Sequence, residues 1–315
     1  MMVPPGYGAV PPQQPPVPPQ SAKRKAPSQS WGAWSSEMLH NRDFLLIWLV
    51  PAAVFFVAMC LWTYAFFWMP TLCVFFTAIA AVIFVLFLLP PIRRWRGEIL
   101  LPLGVTCLPA VLLGSFVGLY LYDSYAIFPY FYSNARLYNN VSPTESAAAV
   151  ADGGKLIFSG ETFVDVNSGI SYIAENGNTY CVAPIHDGAA IDRIQFWAAG
   201  INCCDNAAGS NSTFECDSAH DNSAHSGIVV FDNNGFFEEA RYKYYQRARD
   251  KAEATYALNS VDRPVYVRWV KQENLDMLVS FYTWRGIGFL FLFAILYLLL
   301  SAVLAYNLYQ FRKLI

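Results

Sequence analysis

The sequence predicts a membrane protein with four transmembrane α-helices and an α+β extracytoplasmic domain between spans three and four. The domain is expected to be mainly an antiparallel sheet with one long helix. Of the 315 residues, 55% are hydrophobic and only 14% are charged, whereas a soluble domain carries about a quarter charged residues. Four segments are apolar over the roughly 20 residues that cross a bilayer. A purely soluble protein is therefore excluded.

Residues 1–40 are predicted to form a disordered, proline-rich cytosolic tail, because nine prolines fall within the first 27 residues. Pro4, Pro5 and Tyr7 form a PPxY pattern of the kind that WW domains bind, and PxxP patterns of the SH3-binding kind follow over 12–18. Cytosolic adaptors with WW or SH3-type domains are thus candidate partners. A tail without a binding role is the alternative.

Spans one to three are predicted within residues 41–122, and residues 284–315 hold span four and a short cytosolic end. None of the four spans contains an Asp, Glu, Lys, Arg or His. Proton and ion pathways normally need such groups within the membrane, so a transport role is disfavoured. The four spans are Phe44–Trp62, Thr71–Leu89, Leu100–Tyr122 and Gly286–Phe311.

Two spans carry small residues at four-residue spacing, which lets helices approach each other closely. Gly114 and Gly118 form a GxxxG pattern on span three, and Ser301 and Ala305 repeat the small-residue spacing on span four. These residues are predicted to be helix-packing faces. The partner helix lies either within the same subunit or in another one, and membrane lipid surrounds the rest.

Charge predicts the orientation. Residues 123–283 hold 20 acidic and 11 basic residues, whereas the rest of the chain holds 3 acidic and 10 basic ones. The positive-inside rule then makes both termini cytosolic and residues 123–283 extracytoplasmic. We expect a plasma membrane or endomembrane location; an organelle inner membrane is the alternative, because residues 1–36 contain no acidic residue. The net charge of −2 and the lack of a basic stripe exclude a nucleic-acid partner.

The extracytoplasmic domain, residues 123–283, is long enough for a core of its own. Asn176-Gly177 lies between two alternating segments and predicts a β-hairpin. Phe237–Leu258 has apolar residues at three- and four-residue spacing and predicts the single long helix. The predicted strands are Lys155–Phe158, Thr162–Val166, Ile170–Ala174, Thr179–Pro184, Ile191–Gly200, Ile228–Phe231 and Pro264–Val270.

Four of the seven cysteines lie in this domain: Cys181, Cys203, Cys204 and Cys216. An even number of cysteines in an extracytoplasmic domain predicts two disulfides. A bond between the neighbours Cys203 and Cys204 would be strained, so each is expected to reach one of Cys181 and Cys216. Which of the two pairings forms stays open.

The same domain contains two candidate glycosylation sites and one weak candidate metal site. Asn211 begins an N-x-S/T acceptor, and Asn140 begins a weaker one that is followed by proline. The residues His220, His225, Asp217 and Asp221 could hold a divalent ion only if their loop folded back on itself. A solvated polar loop is the better interpretation, so no metal and no other cofactor is predicted. No catalytic motif is present, and the chain is not expected to be an enzyme.

Two cytosolic ends, four spans, a short first outer loop, a large second one and the adjacent pair Cys203-Cys204 give a layout that resembles tetraspanins. The resemblance covers topology only. Asp205 stands where tetraspanins have glycine after the cysteine pair, and their large loop is mainly helical.

The leading functional hypothesis is a non-enzymatic membrane glycoprotein that acts as an organiser or accessory subunit of a larger membrane complex. Its outer domain would bind another membrane or extracytoplasmic protein. A membrane-anchored receptor or ligand-binding module is the alternative, and a deep pocket in the domain would favour it. A channel or transporter subunit is a further alternative, which would need polar side chains converging between the spans.

Overall fold

The computed structural model describes residues 42–90, 99–188, 193–204, 213–231, 237 and 241–314. Residues 43–315 belong to one compact unit. The predicted four apolar helices are confirmed: among the described residues, four helices are long and apolar enough to cross a membrane. The helices are α1 (Arg42–Cys60), α2 (Pro70–Leu88), α3 (Leu100–Leu121), α4 (Ile127–Asn134), α5 (Tyr242–Tyr256) and α6 (Met277–Leu314).

Three of the apolar helices extend beyond the predicted spans. A π-helical turn, Leu61–Ala65, continues α1, and a second one, Tyr122–Ala126, joins α3 to α4. The aromatic residues that follow span three are therefore helical as far as Asn134. Helix α6 likewise begins at Met277 rather than at Gly286. These extensions pack on each other, since the rings of Phe128 and Tyr282 stack with centroids 4.1 Å apart.

Helix α1 packs against both α3 and α6. On the α6 side, the rings of Phe55 and Tyr297 stack with centroids 4.1 Å apart. The Trp48 indole Nε1 donates to the Leu298 carbonyl at 3.0 Å, and the Ser301 hydroxyl donates to the Trp48 carbonyl at 2.6 Å. Helix α2 packs mainly against α3, and Cys73 is the one buried residue of its 19.

The sheet-rich region lies between α4 and α6 in the chain, and its described residues form eight strands in the order β1-β2-β7-β8-β6-β5-β3, with β4 also paired to β5. The pairs β1–β2 and β6–β8 are parallel and the others are antiparallel. The strands are β1 (Arg136–Val141), β2 (Gly153–Phe158), β3 (Phe163–Val164), β4 (Ile170–Ile173), β5 (Thr179–His186), β6 (Ile194–Ile201), β7 (Ser226–Val229) and β8 (Ser260–Val270).

The sheet can be compared with the sequence prediction at two points. Strand β1 was not predicted, because it is a largely exposed edge strand with polar residues such as Asn139 in its middle. The turn at Asn176-Gly177 does join β4 to β5, and Gly177 adopts φ +79°, a left-handed conformation that favours glycine.

Both faces of the central strands are buried. Cys181, Ala183, Phe196 and Trp269 belong to the core on one face. On the other face, helix α5 packs on a second core that includes Tyr180, Val182, Trp197 and Tyr266. Because side chains alternate along a strand, β5 and β6 supply both cores and read as almost continuous apolar runs.

The predicted helix Phe237–Leu258 is shorter in the structure. Helix α5 runs over Tyr242–Tyr256, and Phe237 lies in a bend before it. The ring of Phe237 contacts the rings of Phe116 and Tyr120 on α3, with centroids 5.5 and 5.7 Å apart. The Asp123 carboxylate accepts a hydrogen bond from the Phe237 N–H at 2.8 Å. Phe237 is thus used to hold its loop on α3 and not to extend α5.

A third cluster joins the sheet to the helices. Ile228 of β7 and Val270 of β8 pack with Phe128 and Tyr132 of α4 and with Leu278 of α6. All five side chains are buried. The part of the sheet around Ile228 and Val270 therefore shares a core with the ends of the apolar helices. We call this region the base of the domain.

Candidate functional sites

The four cysteines form two disulfides, Cys181–Cys204 and Cys203–Cys216, with Cα–Cα distances of 5.9 and 5.0 Å. Cys203 and Cys204 therefore bond to two different cysteines. This decides between the two pairings that the sequence left open. The sulfurs of Cys181, Cys203 and Cys216 lie within 4.8 Å of one another, the one cluster with metal-ligand spacing in the described ranges. Disulfide sulfurs are not thiolates, so this arrangement does not offer a metal site.

Gly200 is positioned directly beneath the Cys203–Cys216 disulfide. A Cβ atom on this residue would overlap the sulfurs of both cysteines. Strand β6 can carry this disulfide at this point only because glycine has no side chain. The short spacing from Gly200 to Cys203 is a sequence signal for this requirement. The overlap between a Cβ at position 200 and the sulfurs can be recognised only from the fold.

The weak metal candidates do not come together. Asp217 pairs with Arg268, with its Oδ2 accepting from Nε at 2.9 Å, and Asp221 pairs with Lys271 at 2.7 Å. Hydrogen bonds from Lys271 and Ser223 hold the pKa of Asp221 well below its usual range.

The two histidines of this loop line one cavity with Asp221, but among the described residues they belong to no cluster with metal-ligand spacing. The His225 Nδ1 lies 2.9 Å from the Thr162 carbonyl, to which it donates, and His220 is exposed. The polar side chains of the loop thus bind neighbouring residues within the domain. Its two carboxylates anchor it to the end of β8, which is a structural role.

The predicted small-residue faces lie between helices of the same chain. A Cβ on Gly114 would lie 2.6 Å from the Phe55 carbonyl oxygen, and one on Gly118 would lie 2.6 Å from the Met59 oxygen. Ser301 hydrogen-bonds α1, as described above, and Ala305 is fully buried. These faces are therefore occupied by α1.

A lateral groove runs between α1 and α2 on the outside of the helices. Its volume is about 530 Å³, and Val111 of α3 forms its floor. Small side chains keep it open, including those of Ala53, Ala58 and Ala80. The Thr77 hydroxyl also lines it and accepts a hydrogen bond from the Trp62 indole at 2.8 Å. The groove is large enough and apolar enough for an apolar side chain or a hydrocarbon chain to pack in it.

A second candidate site is a cavity of about 280 Å³ at the base of the domain, which we call the base cavity. Polar side chains from separate parts of the chain line it: Arg241 directly before α5, Tyr245 of α5, Arg268 of β8, and Asp217, which pairs with Arg268. Burial alone would lower the pKa of Arg268, but the hydrogen bonds to Asp217 raise it above its ordinary value. The apolar part of the wall is formed by Phe128, Tyr132, Val230, Phe231, Leu278 and Tyr282.

A third cavity, of about 220 Å³, lies between the ends of the apolar helices next to the base cavity. Tyr282 lines both cavities. The walls of this third cavity are almost entirely apolar, and we call it the helix cavity. It is lined by Thr63, Tyr64, Leu121, Ala126, Pro129, Tyr130, Tyr282, Thr283, Gly286 and Ile287.

Sequence reasoning missed the base cavity because its residues are far apart in the chain. One signal was available: Arg268 is the only charged residue in the otherwise apolar run 264–270. A charge on a buried strand is costly unless it is paired, and it therefore marks a partner or a site.

The remaining predicted sites are less informative. Asn140 is exposed on β1, with φ +58°. Asn211 lies outside the described residues, as do Pro4, Pro5 and Tyr7.

Taken together, the fold is that of a chain with four helices of membrane-spanning length and a disulfide-linked, sheet-rich region between the third and the fourth. Its class is thus consistent with a multi-pass membrane protein. No protein-family model, no curated protein and no solved structure matches the chain.

Proposed function

We propose that this chain is a non-enzymatic integral membrane glycoprotein that acts as an organiser or accessory subunit of a larger membrane complex. Both termini lie in the cytosol, and residues 123–283 form an extracytoplasmic domain that binds a protein partner. The distribution of basic and acidic residues supports this orientation. The disulfides support an oxidising compartment such as the secretory pathway.

The lateral groove is the observation that carries this proposal. The small-residue faces of α3 and α6 are already occupied by α1, so they do not provide the contact with a partner. Helix α2 has only Cys73 buried, and the apolar groove beside it includes Ala53, Ala58 and Ala80 among its larger Val, Leu and Phe side chains. Small residues let helix backbones approach closely in a bilayer. The occupant that we propose is a transmembrane helix of the partner protein.

Filling the groove tests this function. Ala53 is exposed and lines the groove, so Ala53→Phe should reduce the amount of co-purifying partner by tenfold or more. Ala78→Phe is the matched control, because Ala78 is exposed on α2 but does not line the groove. The measurement is the mass of the full-chain complex in mild detergent. A monomer in the wild type, or equal partner loss in both variants, would contradict the proposal.

A membrane-anchored ligand-binding module is the second candidate function. The base cavity favours it, because two guanidinium groups and apolar walls converge there at the junction of domain and helices. The two functions are compatible, since the base cavity and the lateral groove share no lining residue.

A further inference from the structure

The helix cavity is lined by aromatic rings and lies where the helices depart from regular α geometry. Tyr64, Tyr130 and Tyr282 are among its lining residues. Thr63 and Tyr64 belong to the π-helical turn that continues α1, and Ala126 belongs to the turn that joins α3 to α4. Such π-helical turns are frequently found at functional sites. The two π-helical turns of the described helices thus both contribute to this one cavity.

Two of the three tyrosine rings are held in place before any ligand arrives. The Tyr282 ring stacks on Phe128 with centroids 4.1 Å apart, and the Tyr130 ring stacks on Phe67 with centroids 5.2 Å apart. The Tyr130 hydroxyl also donates a hydrogen bond to the Tyr64 carbonyl at 3.1 Å. Neither Phe67 nor Phe128 lines the helix cavity, so the stacking leaves the other face of each tyrosine ring for a ligand. Rings fixed in this way lose little conformational freedom on binding.

The cavity offers a ligand aromatic surface and few hydrogen-bonding groups. The Thr63 hydroxyl donates to the Met59 carbonyl at 2.8 Å, and the Thr283 hydroxyl donates to the Val279 carbonyl at 2.7 Å. No charged side chain lines the cavity in the part of the chain that the structure describes. A protonated amine would lose hydrogen bonds to water there, because it has N–H donors to satisfy. A quaternary ammonium group has no N–H, and the faces of aromatic rings attract its charge.

The size and the position of the cavity both agree with a choline group. At roughly 30 Å³ for each group of the size of a water molecule, the volume of about 220 Å³ holds about seven such groups, which is also the number of non-hydrogen atoms in choline. Trp68 and Trp284 are exposed near the same helix ends. Tryptophan is enriched at the headgroup level of a bilayer, so the cavity would lie at the depth at which lipids carry their headgroups.

We infer that the helix cavity binds a trimethylammonium group, supplied either by the headgroup of a choline lipid or by free choline. The methyl groups pack against the rings of Tyr64, Tyr130 and Tyr282, and cation–π attraction stabilises the charge. The helix cavity shares no lining residue with the lateral groove. The inference therefore goes beyond the proposed organiser function and can fail independently of it.

The test is isothermal titration of the full-length protein in a neutral detergent that contains no choline. The first pair of probes is choline and its uncharged isostere, in which a tert-butyl group replaces the trimethylammonium group. The second pair is lysophosphatidylcholine and the lysophosphatidylethanolamine with the same acyl chain. We expect each choline compound to bind about tenfold more tightly than the other member of its pair. Tighter binding of the choline lipid than of choline identifies the headgroup as the source, and the reverse order identifies free choline.

Substitutions separate a cation–π site from a cavity that is merely apolar. Tyr64→Leu and Tyr282→Leu should each weaken choline binding by about tenfold, whereas Tyr64→Phe and Tyr282→Phe keep the ring and should leave the affinity unchanged. Tyr306→Leu is the matched control, because Tyr306 is exposed on α6 and does not line the cavity. Should Tyr282→Leu fail to fold, Tyr64→Leu keeps the test, because the Tyr64 side chain is exposed and its carbonyl remains to accept the hydrogen bond from Tyr130.

Three results would overturn the inference. They are equal affinity for choline and its uncharged isostere, unchanged choline affinity in Tyr64→Leu, and no binding of any probe to the folded wild-type protein. None of these results bears on the organiser function, because that function is tested by the mass of the complex and by the Ala53→Phe variant.

Discussion

At the scale of single residues, Gly200 shows how closely the Cys203–Cys216 disulfide packs on the sheet. Its missing side chain leaves the space that the sulfurs of Cys203 and Cys216 occupy. These two cysteines pack in the same core as Cys181 and Phe214, so the sulfurs cannot move away without shifting that core. Dense packing of this kind makes even one added methyl group costly.

We therefore expect Gly200→Ala to destabilise the domain by about 1–3 kcal/mol, the usual cost of overpacking a core. Thermal unfolding of the full-length protein in detergent measures the effect. Gly160→Ala is the control, because Gly160 is exposed and a Cβ there would have no neighbour within 4 Å. An unfolding temperature that is the same for both variants would show that the sulfurs are not in contact with Gly200.

At the scale of elements, the glycines of α3 decide how closely α1 can approach. A Cβ on Gly118 would meet the Met59 oxygen at 2.6 Å and the Trp62 Cβ at 2.7 Å. Thr63 strengthens the same contact, because its hydroxyl lies 3.3 Å from the Gly118 carbonyl. Backbone contact and a hydrogen bond thus replace the hydrophobic driving force that is missing within lipid.

Gly118→Leu should accordingly separate α1 from α3 and lower the unfolding temperature of the detergent-solubilised protein. The expected cost is about 1–3 kcal/mol or more, since backbone atoms rather than flexible side chains are in the way. Gly288→Leu serves as the control, because Gly288 is exposed on α6 and its Cβ would meet nothing within 4 Å. If the two variants unfold at the same temperature, the proposed role of the GxxxG face is wrong.

The elements also show what a sequence can and cannot predict. The four apolar helices were predictable, because length and composition alone identify them. Their ends were not, because the extension of α3 to Asn134 and the start of α6 at Met277 depend on contacts between them, such as that of Phe128 with Tyr282. Strand β1 was missed since an exposed edge strand has no apolar alternation. The two parallel strand pairs depend on topology and leave no local signal.

For the sites, too, some features could be predicted from the sequence and others required the fold. The four cysteines were predictable as two disulfides, but their pairing required the fold. The base cavity could not be predicted, because Arg241, Arg268 and Tyr282 come from separate elements that meet only in three dimensions.

At the scale of the whole molecule, the sheet and the apolar helices share a core at the base of the domain. Tyr132 of α4 donates a hydrogen bond from its hydroxyl to the Val229 carbonyl of β7 at 3.0 Å. Lys155 of β2 forms an ion pair with Asp276, directly before α6. A ligand in the base cavity would therefore contact the domain and the helices at once, so its binding would be coupled to their mutual packing.

The placement of residues 123–283 outside the cytosol is the central claim, because the disulfides, the proposed glycan and the proposed protein partner all depend on it. Electrophoresis of the glycosidase-treated protein, with and without reductant, tests this claim most directly. We predict a mobility shift on glycosidase treatment that disappears in Asn211→Gln, together with faster migration of the unreduced protein. A wild-type protein with no glycosidase shift and the same mobility with and without reductant would contradict the account.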